Sequence, residues 1–66
     1  MSRYDYLESQ KISGQNYPFY SLIMAAMRQA DSDNIKLLRT AFPAVYVELT
    51  RRYVAPRGVL PQDEPQ

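Results

Sequence analysis

The side chains that could do chemistry in this chain are carboxylates, arginines and tyrosines, because the sequence contains no histidine and no cysteine. Histidine and cysteine supply most general bases, covalent nucleophiles and zinc ligands of proteins. Serines are present, but none lies in a nucleophile-elbow pattern, and the only glycines, Gly14 and Gly58, form no phosphate-binding loop. We therefore predict a non-enzymatic protein with no catalytic residue, no cofactor and no metal site.

One acidic cluster, Asp31-Ser32-Asp33-Asn34, invites comparison with a calcium site. An EF-hand loop needs glycine at its sixth position and a bidentate acid at its twelfth. This chain has Lys36 and Phe42 at those positions. Short polar side chains also cap helix starts, since their oxygens accept hydrogen bonds from free backbone amides. The cluster therefore predicts the start of a helix and not a metal site.

Basic side chains are concentrated between residues 34 and 58, in a chain whose net charge is only +1. They are Lys36, Arg39, Arg51, Arg52 and Arg57, against Glu48 alone. Such a segment could bind phosphates or an acidic protein, or it could be an ordinary solvated helix face. Phe42-Pro43 leaves almost no turn for a helix-turn-helix, and the segment that follows carries no row of base-reading side chains. Nucleic-acid binding is therefore the second hypothesis.

Aromatic side chains are dense, with six tyrosines and two phenylalanines. Tyr17, Phe19 and Tyr20 cluster, and the adaptable Met24 lies one turn further on. Tyrosine suits surfaces that become dry only when a partner binds, although several tyrosines could simply cover a thin core. The candidate partner-binding residues are Tyr17, Tyr20, Met24, Arg51, Arg52 and Arg57.

The element that must organise these side chains is a helix over residues 18–30. Its apolar residues recur at i, i+3, i+4, i+7, i+8 and i+11, which is one helix face. Tyr20, Met24 and Ala25 form a second apolar face. A helix that is apolar most of the way round is covered on several sides. We predict an all-α fold, a compact bundle of about four short helices around this central helix.

The neighbouring helices are predicted from caps and prolines. Ser2 and Asp5 indicate a helix over 3–13, ended by Gly14, which can adopt a positive φ. Asn16 or Tyr17 would cap the second helix. A third helix carries Ile35, Leu38 and Phe42, and a fourth, over 43–54, begins at Pro43 because proline disfavours helical geometry before it. Residues 56–58 form a turn, and Val59-Leu60-Pro61 could fold back. We assign residues 1–60 to one domain and 61–66 to a flexible tail.

The predicted core joins the second helix to the two that follow. It consists of Leu22, Ile23, Ala26 and Met27 with Leu38, Phe42, Val45 and Leu49. Too much of the second helix is apolar for three short neighbours to cover, so we expect a homodimer in which Tyr20 and Met24 are contact positions. Truncating Leu22 or Ile23 to alanine should cost roughly 2–5 kcal/mol.

The chain of 66 residues is long enough for one domain. Its N-terminus is polar and shows no signal peptide. The apolar run from Leu22 to Met27 is far shorter than the about 20 residues of a membrane span. We therefore expect a cytoplasmic protein.

The run Tyr17–Pro61 resembles small proteins of bacteriophages and other mobile elements. Residues 17–34 carry most of this resemblance, and Ala41-Phe42-Pro43, Arg52-Tyr53 and Ala55-Pro56-Arg57-Gly58 belong to the same pattern. The resemblance implies a context rather than a set of functional residues. Compact phage accessory proteins often bind a host or phage protein, and inhibitors of host defence nucleases are one such class. The resemblance therefore favours a protein-binding role. If the protein is encoded by a phage, the expected compartment is the cytoplasm of the bacterial host.

Overall fold

The computed structural model describes residues 1–63 as four α-helices and two short 3-10 turns. The helices are α1 (Arg3–Ser13), α2 (Phe19–Gln29), α3 (Ser32–Ala41) and α4 (Pro43–Val54), and the 3-10 turns are Pro56–Gly58 and Pro61–Asp63. The all-α class, with four short helices, is confirmed.

The helix starts follow the local chemistry of the sequence. The Ser2 hydroxyl accepts a hydrogen bond from the Asp5 amide at 3.1 Å, and the Asp31 carboxylate accepts one from the Asn34 amide at 2.8 Å. Each satisfies an amide that has no partner within its helix. Pro43 begins α4 directly after the extended Phe42. The predicted caps of α1 and α3 and the break at Pro43 are therefore confirmed.

The connection between α1 and α2 differs from the prediction. Gly14 stays in the right-handed region at φ −65°, and the left-handed residue is Asn16, at φ 58°. The amides of Gln15 and Asn16 donate to the carbonyls of Ile12 and Ser13, so tight turns continue past the glycine. Because Asn16 serves the turn, it does not cap α2. That helix follows Pro18 without a side-chain cap, and the predicted cap by Asn16 or Tyr17 is wrong.

Three helices pack together and form what we call the body, residues 19–63. The Phe19 and Phe42 rings meet edge to face, with centroids 6.1 Å apart, at the starts of α2 and α4. The Arg28 guanidinium lies over the Tyr53 ring near the ends of the same two helices. These contacts show that α2 and α4 run in the same direction, and α3 returns the chain between them.

The centre of the body is α4 rather than α2. Helix α4 contacts α2, α3 and the turn Pro56–Gly58, whereas α2 contacts α3 and α4. The chain after α4 folds back onto it, as considered for residues 59–61, and Leu60 is only 5% exposed. Helix α2, which the sequence predicts at the centre of the bundle, is therefore uncovered on one side.

Helix α1 stands apart from the body. No Cα atom of α1 lies within 8 Å of a Cα atom in another helix or 3-10 turn of the described residues. The radius of gyration is 14.1 Å, against roughly 11 Å for a compact domain of this length. The described chain extends 47 Å along its longest axis and 18 Å along its shortest. The four helices thus form a three-helix body and a projecting helix.

The core is thinner than the sequence predicts. Met27, 4% exposed, is buried as expected, together with Leu60. The other predicted core positions Leu22, Ile23, Leu38, Phe42, Val45 and Leu49 are only half-buried, and Ala26 is exposed. The prediction that these residues are buried is therefore wrong. Helix α1, which lies apart from the body, does not contribute to covering them.

Within residues 1–63, no helix combines the length and the apolar character that crossing a membrane would require.

Candidate functional site

The predicted partner-binding residues lie in two separate places. Tyr20, which is exposed, and Met24, which is half-buried, line a shallow groove between α2 and α4 with Ala44, Val45 and Glu48. Its volume is about 270 Å³. The second place is the C-terminal end of α4, where the arginines lie.

Tyr17 lies in the connection before α2 and is exposed. It precedes Phe19 and Tyr20, whose rings meet edge to face with centroids 5.3 Å apart. The aromatic cluster predicted from the sequence is therefore a surface cluster. Tyr17 and Tyr20 keep most of their ring area available to a partner.

The three predicted arginines are not equivalent. Arg51 and Arg57 are exposed, and Arg57 takes a left-handed conformation at φ 56°. Arg52 is held by the chain itself. Its two terminal nitrogens donate to the two carboxylate oxygens of Asp63 at 2.5 and 2.9 Å, and one of them also donates to the Gly58 carbonyl at 2.7 Å.

We call this arrangement the C-terminal clasp, formed by Arg52, Gly58, Leu60 and Asp63. The Leu60 amide donates to the Asp63 carboxylate at 3.0 Å, and Glu48 lies 3.5 Å from the Arg52 guanidinium. The hydrogen bond from Arg52, followed by that from the Leu60 amide, holds the pKa of Asp63 well below its usual range. Asp63 in turn raises the pKa of Arg52 above its already high value.

The clasp includes Asp63, which belongs to the segment predicted as a tail. Residues 61–63 form a 3-10 turn whose Asp63 bridges the chain end to α4. The flexibility of the tail stays a prediction. Residues 64–66, the rest of that tail, lie outside the described part of the chain.

A further concave surface lies at the junction of α2, α3 and α4. We call it the arginine–tyrosine groove, and its volume is about 530 Å³. It is lined by Met27, Arg28, Ile35, Tyr46, Leu49, Thr50, Tyr53 and Val54. Its apolar lining residues are Met27, Ile35, Leu49 and Val54, and Met27 is buried.

Two arginines lie against tyrosine rings that line this groove, and one of them, Arg28, is itself a lining residue. The Arg28 guanidinium lies 6.0 Å from the centroid of the Tyr53 ring, and that of Arg39 lies 5.5 Å from the Tyr46 ring. Within residues 1–63, neither arginine forms an ion pair. Stacking on a ring orients a guanidinium and leaves its N–H donors free for a carboxylate. The groove therefore combines apolar side chains with positioned positive charge.

The sequence did contain one signal for this groove. Tyr46, Leu49 and Tyr53 follow the spacing i, i+3, i+7 on one face of α4. Of these three residues, only Leu49 is among the predicted core residues. In the structure all three line an open groove. Nothing in the pattern distinguishes the two cases.

Comparisons of the chain with known protein families, with curated proteins and with solved structures found no match. The resemblance to phage accessory proteins therefore stays a prediction.

Proposed function

We propose that this chain is a small non-enzymatic interaction protein that binds another protein, in the context of a phage or mobile element in a bacterial cytoplasm. The observation that supports this best is the arginine–tyrosine groove. It provides apolar side chains, two tyrosine rings and Arg28, and Arg39 lies against one of those two rings. These are the residue types that contribute most to protein–protein affinity.

The chemistry of the groove suggests the kind of partner. Met27, Ile35 and Leu49 would receive an apolar or aromatic anchor from the partner. Arg28 and Arg39 would pair with carboxylates beside that anchor, since a guanidinium forms two parallel hydrogen bonds with a carboxylate. We therefore propose an acidic, amphipathic segment of a host or phage protein as the ligand. Inhibition of a host defence protein would be one consequence of such binding.

The experiment is affinity capture from a bacterial lysate with the tagged full chain, before and after nuclease treatment. We expect captured protein to persist after nuclease. Neutralising both groove arginines, with Arg28→Gln and Arg39→Gln together, should abolish capture. The matched control is Arg51→Gln, which removes an exposed helical arginine outside the groove. Thermal melts should show that all variants remain folded.

Three outcomes would contradict the proposal. Loss of all captured material after nuclease would indicate a nucleic-acid ligand. Equal loss of capture in Arg51→Gln and in the double variant would indicate that the partner binds at the end of α4. Retention by both variants would reject charge recognition by the groove.

The second candidate function is nucleic-acid binding through α3 and α4. The observation that favours it is the exposure of Lys36, Arg51 and Arg57, none of which forms an ion pair within the described residues. The clasp argues against nucleic-acid binding, because Arg52 already has carboxylate partners on its own chain. A phosphate would have to displace Asp63 to reach that guanidinium.

A further inference from the structure

The segment that follows α4, residues 55–63, is attached to the rest of the molecule in few places, and we call it the C-terminal strap. Its first 3-10 turn, Pro56–Gly58, contacts α4 and no other helix of the described residues. No Cα atom of the second turn, Pro61–Asp63, lies within 8 Å of a Cα atom in those helices. Leu60 is the only buried residue of the strap. Few buried contacts are typical of segments that open locally.

The polar contacts of the strap with α4 converge on the side chain of Arg52. Its guanidinium donates to the Gly58 carbonyl at 2.7 Å and to both carboxylate oxygens of Asp63. By contrast, the hydrogen bonds donated by the amides of Gly58, Val59 and Asp63 stay within the strap. Arg52 is therefore the residue through which α4 holds both 3-10 turns.

Two successive residues of the strap have a left-handed backbone conformation. Arg57 has φ 56° and Gly58 has φ 69°. Glycine adopts this conformation freely, whereas the β-carbon of arginine makes it unfavourable. Such a conformation persists only where the surrounding contacts maintain it. The closed strap therefore stores conformational strain at Arg57 that opening would release.

The contact that closes the strap is accessible to solvent. The side chains of Arg52 and Asp63 retain 28% and 35% of their accessible surface. A bidentate pair of an arginine and a carboxylate is stronger than a single neutral hydrogen bond, but ion pairs at exposed positions contribute modestly to stability. The closed state is thus favoured by a contact of modest strength and opposed by the strain at Arg57.

We propose that the C-terminal strap opens as one unit while α2, α3 and α4 stay folded, and that the contact between Arg52 and Asp63 keeps it closed. Opening separates both 3-10 turns from α4 and exposes Leu60 to solvent. It also removes Asp63 from Arg52, so that this guanidinium becomes available to an anionic ligand in addition to the exposed Arg51. The strap therefore controls how much positive charge the end of α4 presents, and this role is independent of the protein-binding function proposed above.

The first test is native-state hydrogen exchange of the full chain at several urea concentrations too low to unfold it. The amides of Gly58, Val59 and Asp63 should share one opening free energy, lower than that of amides in the middle of α4. Their exchange should depend only weakly on urea, because opening the strap exposes much less surface than unfolding the chain.

Three results of this experiment would overturn the proposal. The same opening free energy and urea dependence as the α4 amides would show that the strap opens only when the whole chain unfolds. Unrelated opening free energies for the three strap amides would show that they do not open as one unit. Exchange as fast as in an unfolded peptide would show that the strap is not closed at all.

The second test identifies the contact that keeps the strap closed. Asp63→Asn should speed the exchange of the strap amides by roughly fivefold, since it removes the charge of the bidentate pair. The matched control is Glu48→Gln, which also removes an acid beside Arg52, 3.5 Å from its guanidinium. Because Glu48 lies on α4 itself, its loss should speed this exchange by no more than about twofold. Equal effects of the two variants, or no effect of Asp63→Asn, would contradict the role of Asp63.

Discussion

The side chain of Asp63 links α4 to the segment that folds back onto it. Its carboxylate joins the Arg52 guanidinium on α4 to the Leu60 amide in the returning segment. Leu60 is one of the two buried side chains among the described residues. The clasp therefore positions a core residue, and its ionisation should be linked to the stability of the fold.

The prediction at this scale concerns pH. Because the pKa of Asp63 is lowered in the folded chain, the clasp stabilises the fold above the unfolded-state pKa of about 4. This stabilisation is lost as the pH falls below that value towards the folded-state pKa. Asp63→Asn should melt at a lower temperature than the parent at about pH 7, and the difference should shrink at about pH 2.

The matched control is Asp33→Asn, which removes an exposed acid in the first turn of α3. It should shift the melting temperature much less at neutral pH, since only a helix-dipole interaction is weakened. Melting curves that coincide for the parent and Asp63→Asn at neutral pH would show that the clasp does not stabilise the fold.

Helix α2 shows that an apolar sequence pattern does not by itself determine which residues are buried. The pattern makes most of the helix apolar, yet Met27 is its only buried residue. Met27 also lines the arginine–tyrosine groove. The packing of α2 on α4 therefore depends more on Met27 than on the half-buried Leu22 and Ile23.

The prediction for the helices follows from this difference. Met27→Ala should lower the free energy of unfolding by roughly 2–5 kcal/mol, the usual range for truncating a buried methionine. Leu22→Ala should cost less, because a half-buried side chain loses less apolar contact. Ala25→Ser, at an exposed position of the same helix, is the control and should stay within about 0.5 kcal/mol of the parent. Denaturant unfolding measures all three, and a larger cost for Leu22→Ala would contradict this ranking.

Across the whole molecule, the basic segment is interrupted by the chain's own acids. Arg52 is paired with Glu48 and Asp63, which leaves Arg51 and Arg57 exposed at that end of α4. A surface with so few simultaneous phosphate contacts binds nucleic acid weakly and depends strongly on salt.

We therefore predict weak duplex DNA binding without a preferred sequence and with near-complete loss at physiological salt. The log–log slope against salt should correspond to few phosphates, at about −0.9 for each. Fluorescence anisotropy with two unrelated duplexes measures affinity and selectivity together. A tight, sequence-selective complex that survives physiological salt would favour the second candidate function over the first.

The sequence alone determined the features that depend on interactions within about one helical turn. These include the caps by Ser2 and Asp31, the bounds of α1 and α4, and the break at Pro43. A cap joins residues three apart, and proline acts on its immediate neighbour, so both can be recognised without the fold.

Only the tertiary structure decided which apolar faces are covered and which charges are free. Arg52 is captured by an acid eleven residues away, and Tyr46 and Tyr53 line a groove that an identical spacing could have buried. Ala26 belongs to the apolar face of α2, yet it is exposed. An apolar face of a helix shows that it needs a neighbour, but it does not specify whether that neighbour is the same chain, a second copy or another protein.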